Sequence, residues 1–178
     1  QHHNHEHGDE SVEGHNHALS ADPHTWTSVI NAKIIARNML DVVLDVDSAN
    51  TDYYNANYNS LIASLDSLDN YASAKLAPHK GEAFLVWHPS LSYFARDYGL
   101  EQISVGQIGK ELSAQQLQTQ IDNARNHNAH VFFFQKEFDS QQASVLNKQI
   151  GAKMITINPL SYEWETEIRR IVDAIASK

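Results

Sequence analysis

The chain has 178 residues, no cysteine and 42% apolar residues, which predicts a globular fold rather than a disordered chain. Its net charge is −9 with the histidines neutral, and this argues against nucleic acid as a partner. No apolar run reaches the roughly 18 residues that indicate a membrane-spanning helix, so no such segment is predicted. Histidine is the unusual component, with eleven residues, and their positions indicate the kind of site to expect.

Residues 1–21 form a polar, acidic and histidine-rich segment without an apolar period of either kind. We expect this His-rich loop to be mobile, because it offers no face that a core could bury. An expression tag is the alternative interpretation. It is disfavoured because Asn4 and Glu6 interrupt the histidine run, and a second pair follows at His15 and His17.

A helical segment is predicted over residues 22–78. Asp22 followed by Pro23 is typical of a helix start, and this first helix should continue to about Val46. A second helix is predicted from about Thr51 to Leu76, long enough to act as a backbone helix between two lobes. The apolar residues of the first helix recur at helical spacing: Val29, Ile30, Ile34, Ile35, Met39, Val42 and Val43.

Residues 79–178 are predicted to form an α/β lobe in which strands and helices alternate. This alternation indicates a four-stranded parallel sheet flanked by helices. In such sheets ligands bind beyond the carboxyl ends of the strands. The predicted strands cover 83–87, 102–105, 131–134 and 154–157, and the predicted helices cover 90–98, a segment opened by a Ser113–Gln116 capping box, 140–150 and 163–176.

Three residues are candidate metal ligands. His88 follows the first predicted strand and precedes a proline, and zinc favours neutral imidazole nitrogens on a rigid backbone. A core histidine is an equally good interpretation from the local sequence. His24 lies at a helix start, where Asp22 could hydrogen-bond the imidazole or, as we favour, cap the helix. Asn158 follows the fourth strand.

Several segments, in order, resemble one known family. They are the His-rich loop followed by 22–28 (DPHTWTS), 88–100 (HPSLSYFARDYGL), 109–113 (GKELS) and 135–140 (QKEFDS). Together they resemble the metal-binding receptors of the zinc and manganese ABC importers, the cluster A-I or ZnuA-like/TroA-like family. One such segment would be weak evidence, but the complete series in order on an α/β architecture is specific.

The resemblance implies a two-lobed extracytoplasmic or periplasmic protein that captures Zn²⁺ as transported cargo and delivers it to an ABC transporter permease. His24 and His88 would be metal ligands, and histidine at position 88 favours zinc over manganese because imidazole-rich sites suit zinc. The loop histidines would gather zinc weakly: His2, His3, His5, His7, His15 and His17.

Two departures from the family pattern affect these expectations. The family often carries aspartate where this chain has Asn158, and a neutral amide oxygen is a weaker zinc ligand than a carboxylate. We therefore expect Asn158 to bind weakly or to act through a bound water. The chain also starts inside the His-rich loop, so the N-terminal lobe and its histidine ligand are expected to be missing, with weaker zinc binding as the consequence.

Two alternatives remain at this stage. One is a metal-dependent adhesin or interaction protein of the same fold. The other is a zinc hydrolase, disfavoured because no general base accompanies the histidines. No enzyme is predicted, since no paired nucleophile and base, phosphate-binding glycine loop or H-E-x-x-H motif occurs. His79, His127 and His130 are expected to be solvated, and Tyr93 to lie in the core or pocket wall.

Overall fold

The computed structural model describes residues 21–105, 113–135 and 140–177. Residues 1–20 of the His-rich loop, the GKEL part of the GKELS segment and residues 136–139 of the QKEFDS segment lie outside this description. The helices are α1 (Val29–Val46), α2 (Thr51–Leu76), α3 (Ser92–Tyr98), α4 (Ala114–Asn126), α5 (Ser140–Ile150) and α6 (Trp164–Ala176), and the strands are β1 (Ala83–Val86), β2 (Glu101–Ser104), β3 (Val131–Gln135) and β4 (Lys153–Ile157).

The four strands form one parallel sheet in the order β2-β1-β3-β4. Leu85 in β1 pairs with Ile103 in β2 and with Phe132 in β3, so the most apolar strand lies inside the sheet. The α/β class and the four-stranded parallel sheet flanked by helices are therefore confirmed. Because β1 and β4 run in the same direction, residues that follow them emerge at the same edge.

Alternate residues of each strand face opposite layers of helices. Phe84 and Phe133 belong to a core cluster shared with α1, α2, α3 and α6, whereas Leu85 and Phe132 face α4 and α5. The first cluster joins the C-terminal half of α2 to the sheet through buried side chains, among them Leu65, Leu68, Ala72 and Leu76. The division of the chain at residue 79 stays a prediction.

The start of α1 differs from its prediction. Ser28, not Asp22, caps the helix: its hydroxyl accepts a hydrogen bond from the Asn31 amide at 2.9 Å. Residues Thr25–Thr27 form a short 3₁₀ turn before it. The expectation that Asp22 caps the helix is wrong, because the Asp22 carboxylate is hydrogen-bonded to His24 instead.

The outer face of α1 is apolar and solvent-exposed. We call it the open stripe: Ile30, Ile34, Ile35, Met39, Val42 and Val46, whose exposed fractions run from 36% to 76%. The opposite face of the helix is buried through Val29, Ala36 and Leu40. In the described part of the chain, no helix is both long and apolar enough to cross a membrane.

Candidate metal centre

The structure brings two of the predicted site residues together. The Nε2 atoms of His24 and His88 lie 3.1 Å apart, and the two rings meet edge to face with centroids 4.9 Å apart. These residues are 64 positions apart in the sequence. The pair lies at the edge of the sheet where β1 ends, which is where ligands are expected in a parallel α/β fold.

His88 is positioned by the rigid end of β1. The Trp87 amide donates to the Phe133 carbonyl at 2.9 Å, which extends the pairing with β3 by one residue. The chain then turns, and the Ser90 amide donates to the His88 carbonyl at 2.8 Å. Ser90 is fully buried and its hydroxyl accepts from the Gln135 side chain at 3.3 Å, so β3 also holds this turn.

His24 is oriented by Asp22. One carboxylate oxygen, Oδ1, accepts from the His24 backbone amide at 2.9 Å and from the ring Nδ1 at 2.6 Å. An ionised carboxylate has no hydrogen to donate, so Nδ1 must carry the ring hydrogen. The lone pair of a neutral His24 ring then lies on Nε2, which is the atom that faces His88. This is the arrangement by which carboxylates commonly orient metal-binding histidines.

The electrostatics of the site favour an ionised Asp22 and a neutral His88. Burial raises the pKa of Asp22, but hydrogen bonds from the Ser92 hydroxyl and from the amide and ring of His24 outweigh it, so the pKa falls below its ordinary value. Burial, and then the nearby His24, lower the pKa of His88, while Asp22 opposes them. A neutral imidazole is the form that binds a metal ion.

The spacing of the pair can be compared with that of a zinc site. Two nitrogens bound to one tetrahedral zinc at about 2.0–2.1 Å each lie about 3.3 Å from one another. The observed 3.1 Å between the Nε2 atoms is close to that value. No group of three or more His, Cys, Asp or Glu side chains suited to a metal occurs among the described residues, so this part of the chain offers two nitrogens.

Asn158 is not joined to the histidine pair by any hydrogen bond of the described residues. Its side-chain oxygen accepts from the backbone amide of Leu160 at 3.2 Å. The backbone amide of Asn158 donates to the buried Glu167 carboxylate at 2.7 Å. The next carbonyl, of Pro159, accepts from the Trp26 indole at 3.0 Å. Asn158 therefore shapes the loop that Trp26 contacts. Weak or indirect metal binding by its amide stays a prediction.

Helix α3 contributes contacts that the sequence did not predict. The Ser92 hydroxyl donates to Asp22 Oδ2, and the Tyr93 hydroxyl donates to the Asp22 carbonyl at 2.9 Å. Further along the helix, Asp97 accepts from the Ser28 hydroxyl. Their signal in the sequence was their place in the 88–100 segment that resembles the family. Nothing local indicated a partner about 70 residues earlier.

Among the described residues, the three other histidines do not join the pair. His79 is buried and contacts Glu82 through Nδ1 at 2.8 Å, so the expectation that it is solvated is wrong. His127 and His130 are half-buried, and each contacts a backbone carbonyl through Nδ1, at 3.0 Å and 3.2 Å. The partner of His127 is Asn123 in α4, and His130 contacts Asn128 in the α4–β3 turn and, through Nε2, the Ile175 carbonyl in α6 at 2.9 Å. Both histidines lie at the end of the sheet opposite the pair.

Comparison with known proteins shows the family of the chain. A family model described as "Zinc-uptake complex component A periplasmic" matches residues 1–177. Zinc-binding protein AdcA of Streptococcus pyogenes serotype M3 is 31% identical over 93% of this chain, but the match covers 32% of AdcA. A crystal structure of ZnuA superposes with a TM-score of 0.80 at 34% identity, covering 87% of this chain and 61% of that one.

A laminin-binding adhesin of Streptococcus agalactiae superposes with a TM-score of 0.77 over 86% of this chain and 63% of the adhesin. At 22% identity this likeness shows the fold alone.

The four-stranded parallel sheet, with the long helix α2 packed on one of its faces, is the fold shared with the ZnuA structure. The chain belongs to the ZnuA family of zinc-uptake components, as its motifs predicted. It spans about a third of the length of AdcA.

Proposed function

We propose that this chain is the metal-binding part of a periplasmic or extracytoplasmic receptor that captures Zn²⁺ and delivers it to an ABC importer. The observation that carries the proposal is the 3.1 Å spacing of His24 Nε2 and His88 Nε2, with the His24 ring hydrogen held on the far side by Asp22. The family description, a periplasmic zinc-uptake component, supports the same assignment and location.

In this proposal zinc is cargo and not a catalyst. The carboxylate beside the pair is Asp22, whose Oδ1 accepts from His24 and whose Oδ2 accepts from Ser92. With both oxygens engaged, Asp22 is poorly placed to activate a water as a general base. Two histidines leave two positions of a tetrahedral zinc for water, Asn158 or residues outside the described ranges. Zinc that is bound by an incomplete set of protein ligands is more easily released, as cargo must be.

The test is a zinc titration by calorimetry of the chain and of His88→Ala, with His127→Ala as the matched control. His127 is a histidine of similar chemistry at the other end of the sheet. We expect His88→Ala to weaken binding by at least about 100-fold, since even residues that only support a ligand contribute about 10–100-fold. His127→Ala should bind as the parent does, and manganese should bind more weakly than zinc.

A variant lacking residues 1–20 separates the site from the His-rich loop. If the proposal holds, tight binding survives removal of the loop. If removing the loop abolishes binding while His88→Ala has no effect, the His24–His88 pair is not the site. Binding to a host protein that a chelator leaves unchanged would instead favour the adhesin alternative.

A further inference from the structure

Asp22 is held by α3 at two separate points. The Tyr93 hydroxyl donates to the backbone carbonyl of Asp22, which fixes the main chain of the His24 segment. The Ser92 hydroxyl donates to carboxylate oxygen Oδ2, which fixes the rotation of the side chain. With Oδ2 directed at Ser92, Oδ1 is directed at His24. The Tyr93 contact therefore positions the main chain and the Ser92 contact orients the carboxylate, and a substitution can remove one contact without the other.

Helix capping does not account for the Ser92 hydroxyl. The residue at the N-cap position of α3 is Leu91, and no side-chain hydrogen bond caps this helix. The Leu91 amide is instead satisfied by the Gln102 side chain at 2.6 Å. Ser92 occupies the first helical position, half-buried, and its hydroxyl reaches across to a segment 70 residues earlier.

We propose that Ser92 is a positioning residue for zinc capture: its hydroxyl locks the Asp22 carboxylate, which in turn keeps the His24 ring hydrogen on Nδ1 and the Nε2 lone pair toward His88. The inference deepens the proposed zinc capture and rests on it. Ser92 needs no contact with the metal, because it acts through Asp22 and then through His24. Its effect on affinity should accordingly be smaller than that of Asp22.

The proposal predicts a change in the ring of His24 before any zinc is added. The measurement is a long-range ¹H–¹⁵N spectrum of the zinc-free protein at about pH 8, where imidazoles of ordinary pKa are neutral. The His24 signals are identified by their absence in His24→Gln. We expect the parent to show one tautomer, with hydrogen on Nδ1, and Ser92→Ala to show a mixture of both tautomers.

The matched control is Ser64→Ala. Ser64 also donates its hydroxyl to a carboxylate, Glu165, at 2.8 Å, but between α2 and α6 and away from the histidine pair. This variant should leave the His24 tautomer unchanged. A His24 spectrum that is identical in the parent and in Ser92→Ala would overturn the proposal, and so would an equal change in Ser64→Ala.

Zinc affinity, measured by competition with a chromophoric chelator, supplies the second readout. We expect Ser92→Ala to weaken binding about 3–10-fold, below the 10–100-fold typical of a ligand's direct partner, while Ser92→Thr restores it. In an Asp22→Asn background, Ser92→Ala should add no further loss, because residues that act through one another are not additive. A full further loss in that background contradicts the proposal.

The two readouts distinguish failure of this inference from failure of the proposed function. If His88→Ala leaves zinc binding unchanged, the proposed zinc site is wrong, and the role of Ser92 in zinc capture falls with it. The tautomer spectrum then still decides whether Ser92 orients His24. If His88→Ala abolishes binding but Ser92→Ala changes neither readout, the zinc site stands and the positioning role is wrong.

Discussion

The sheet and the outer face of α1 are both apolar, but the fold buries the sheet and leaves the outer face of α1 exposed to solvent. Phe84, Phe132 and Phe133 lie 1% exposed or less between two layers of helices, whereas Met39 and Val42 of the open stripe are 64% and 62% exposed. Both regions show an apolar pattern typical of a buried element, which is a continuous run in β1 and β3 and helical spacing in α1. The difference teaches that periodicity predicts the kind of element, while burial depends on whether a second surface is present to cover it.

The largest effect should come from the sheet. Phe133→Ala removes a ring that packs edge to face on Phe84 with centroids 5.6 Å apart, in a site without solvent access. We expect a loss of about 3–5 kcal/mol in the free energy of unfolding, because a cavity remains where the ring was. Urea denaturation followed by circular dichroism measures it. A loss below about 1 kcal/mol would mean that this layer repacks easily.

A smaller effect is expected where α1 is anchored to the lobe. Ser28→Ala removes the cap of α1 and also the hydroxyl that donates to the Asp97 carboxylate. We expect a loss of about 1–2 kcal/mol. Ser113→Ala, at the exposed capping box of α4, is the matched control and should lose less. Equal losses would show that the Ser28–Asp97 contact adds nothing to the cap.

The seam between α2 and α6 should make stability depend on pH. Hydrogen bonds from Lys75 and Tyr71 lower the pKa of Asp173, and those from Arg169 and Ser64 lower the pKa of Glu165. A lowered folded-state pKa stabilises the protein above the unfolded pKa of about 4, and this contribution is lost as the pH falls through the folded value.

For such exposed pairs we expect a change below about 1 kcal/mol. Urea midpoints measured from pH 7 downward for the parent and for Asp173→Asn provide the test. The parent should lose more stability than the variant on acidification, and parallel curves would contradict the assignment.

The smallest effect is expected on the open stripe. Met39→Gln and Val42→Thr should each change the free energy of unfolding by no more than about 0.5 kcal/mol, because neither side chain is buried. Sedimentation velocity should show the same species for parent and variants. A loss comparable to that of Phe133→Ala, or a change in sedimentation, would show that another surface covers this face in solution, such as a second copy.

Much of the architecture followed from local signals. The bounds predicted for α2, Thr51 and Leu76, agree with the structure, and the Ser113–Gln116 capping box is present at α4. Gly151 ends α5 with a positive φ of 76°, a conformation that glycine adopts without strain. These features depend on residues a few positions apart, so the local sequence is sufficient to predict them.

The start of α1 shows where local reasoning failed. Asp22 and Ser28 are both good N-cap residues, and a helix start at Asp22–Pro23 was a sound prediction from propensity. Ser28 is the N-cap residue in the structure because the Asp22 carboxylate is hydrogen-bonded to His24 and to Ser92 of α3. The prediction that His79 is solvated failed for a related reason. The burial of His79 beside Glu82 depends on how α2 packs against β1.

The sequence by itself determined the family, the alternation of helices and strands, and the two histidines worth inspecting, since motif order, periodicity and capping are properties of neighbouring residues. Only the tertiary structure decided that His24 and His88 meet at 3.1 Å, that Ser92 and Tyr93 hold Asp22, and that one face of α1 stays open. Those contacts join residues some 64 to 71 positions apart. Their distances are set by how the sheet and helices pack together, which no local pattern of residues specifies.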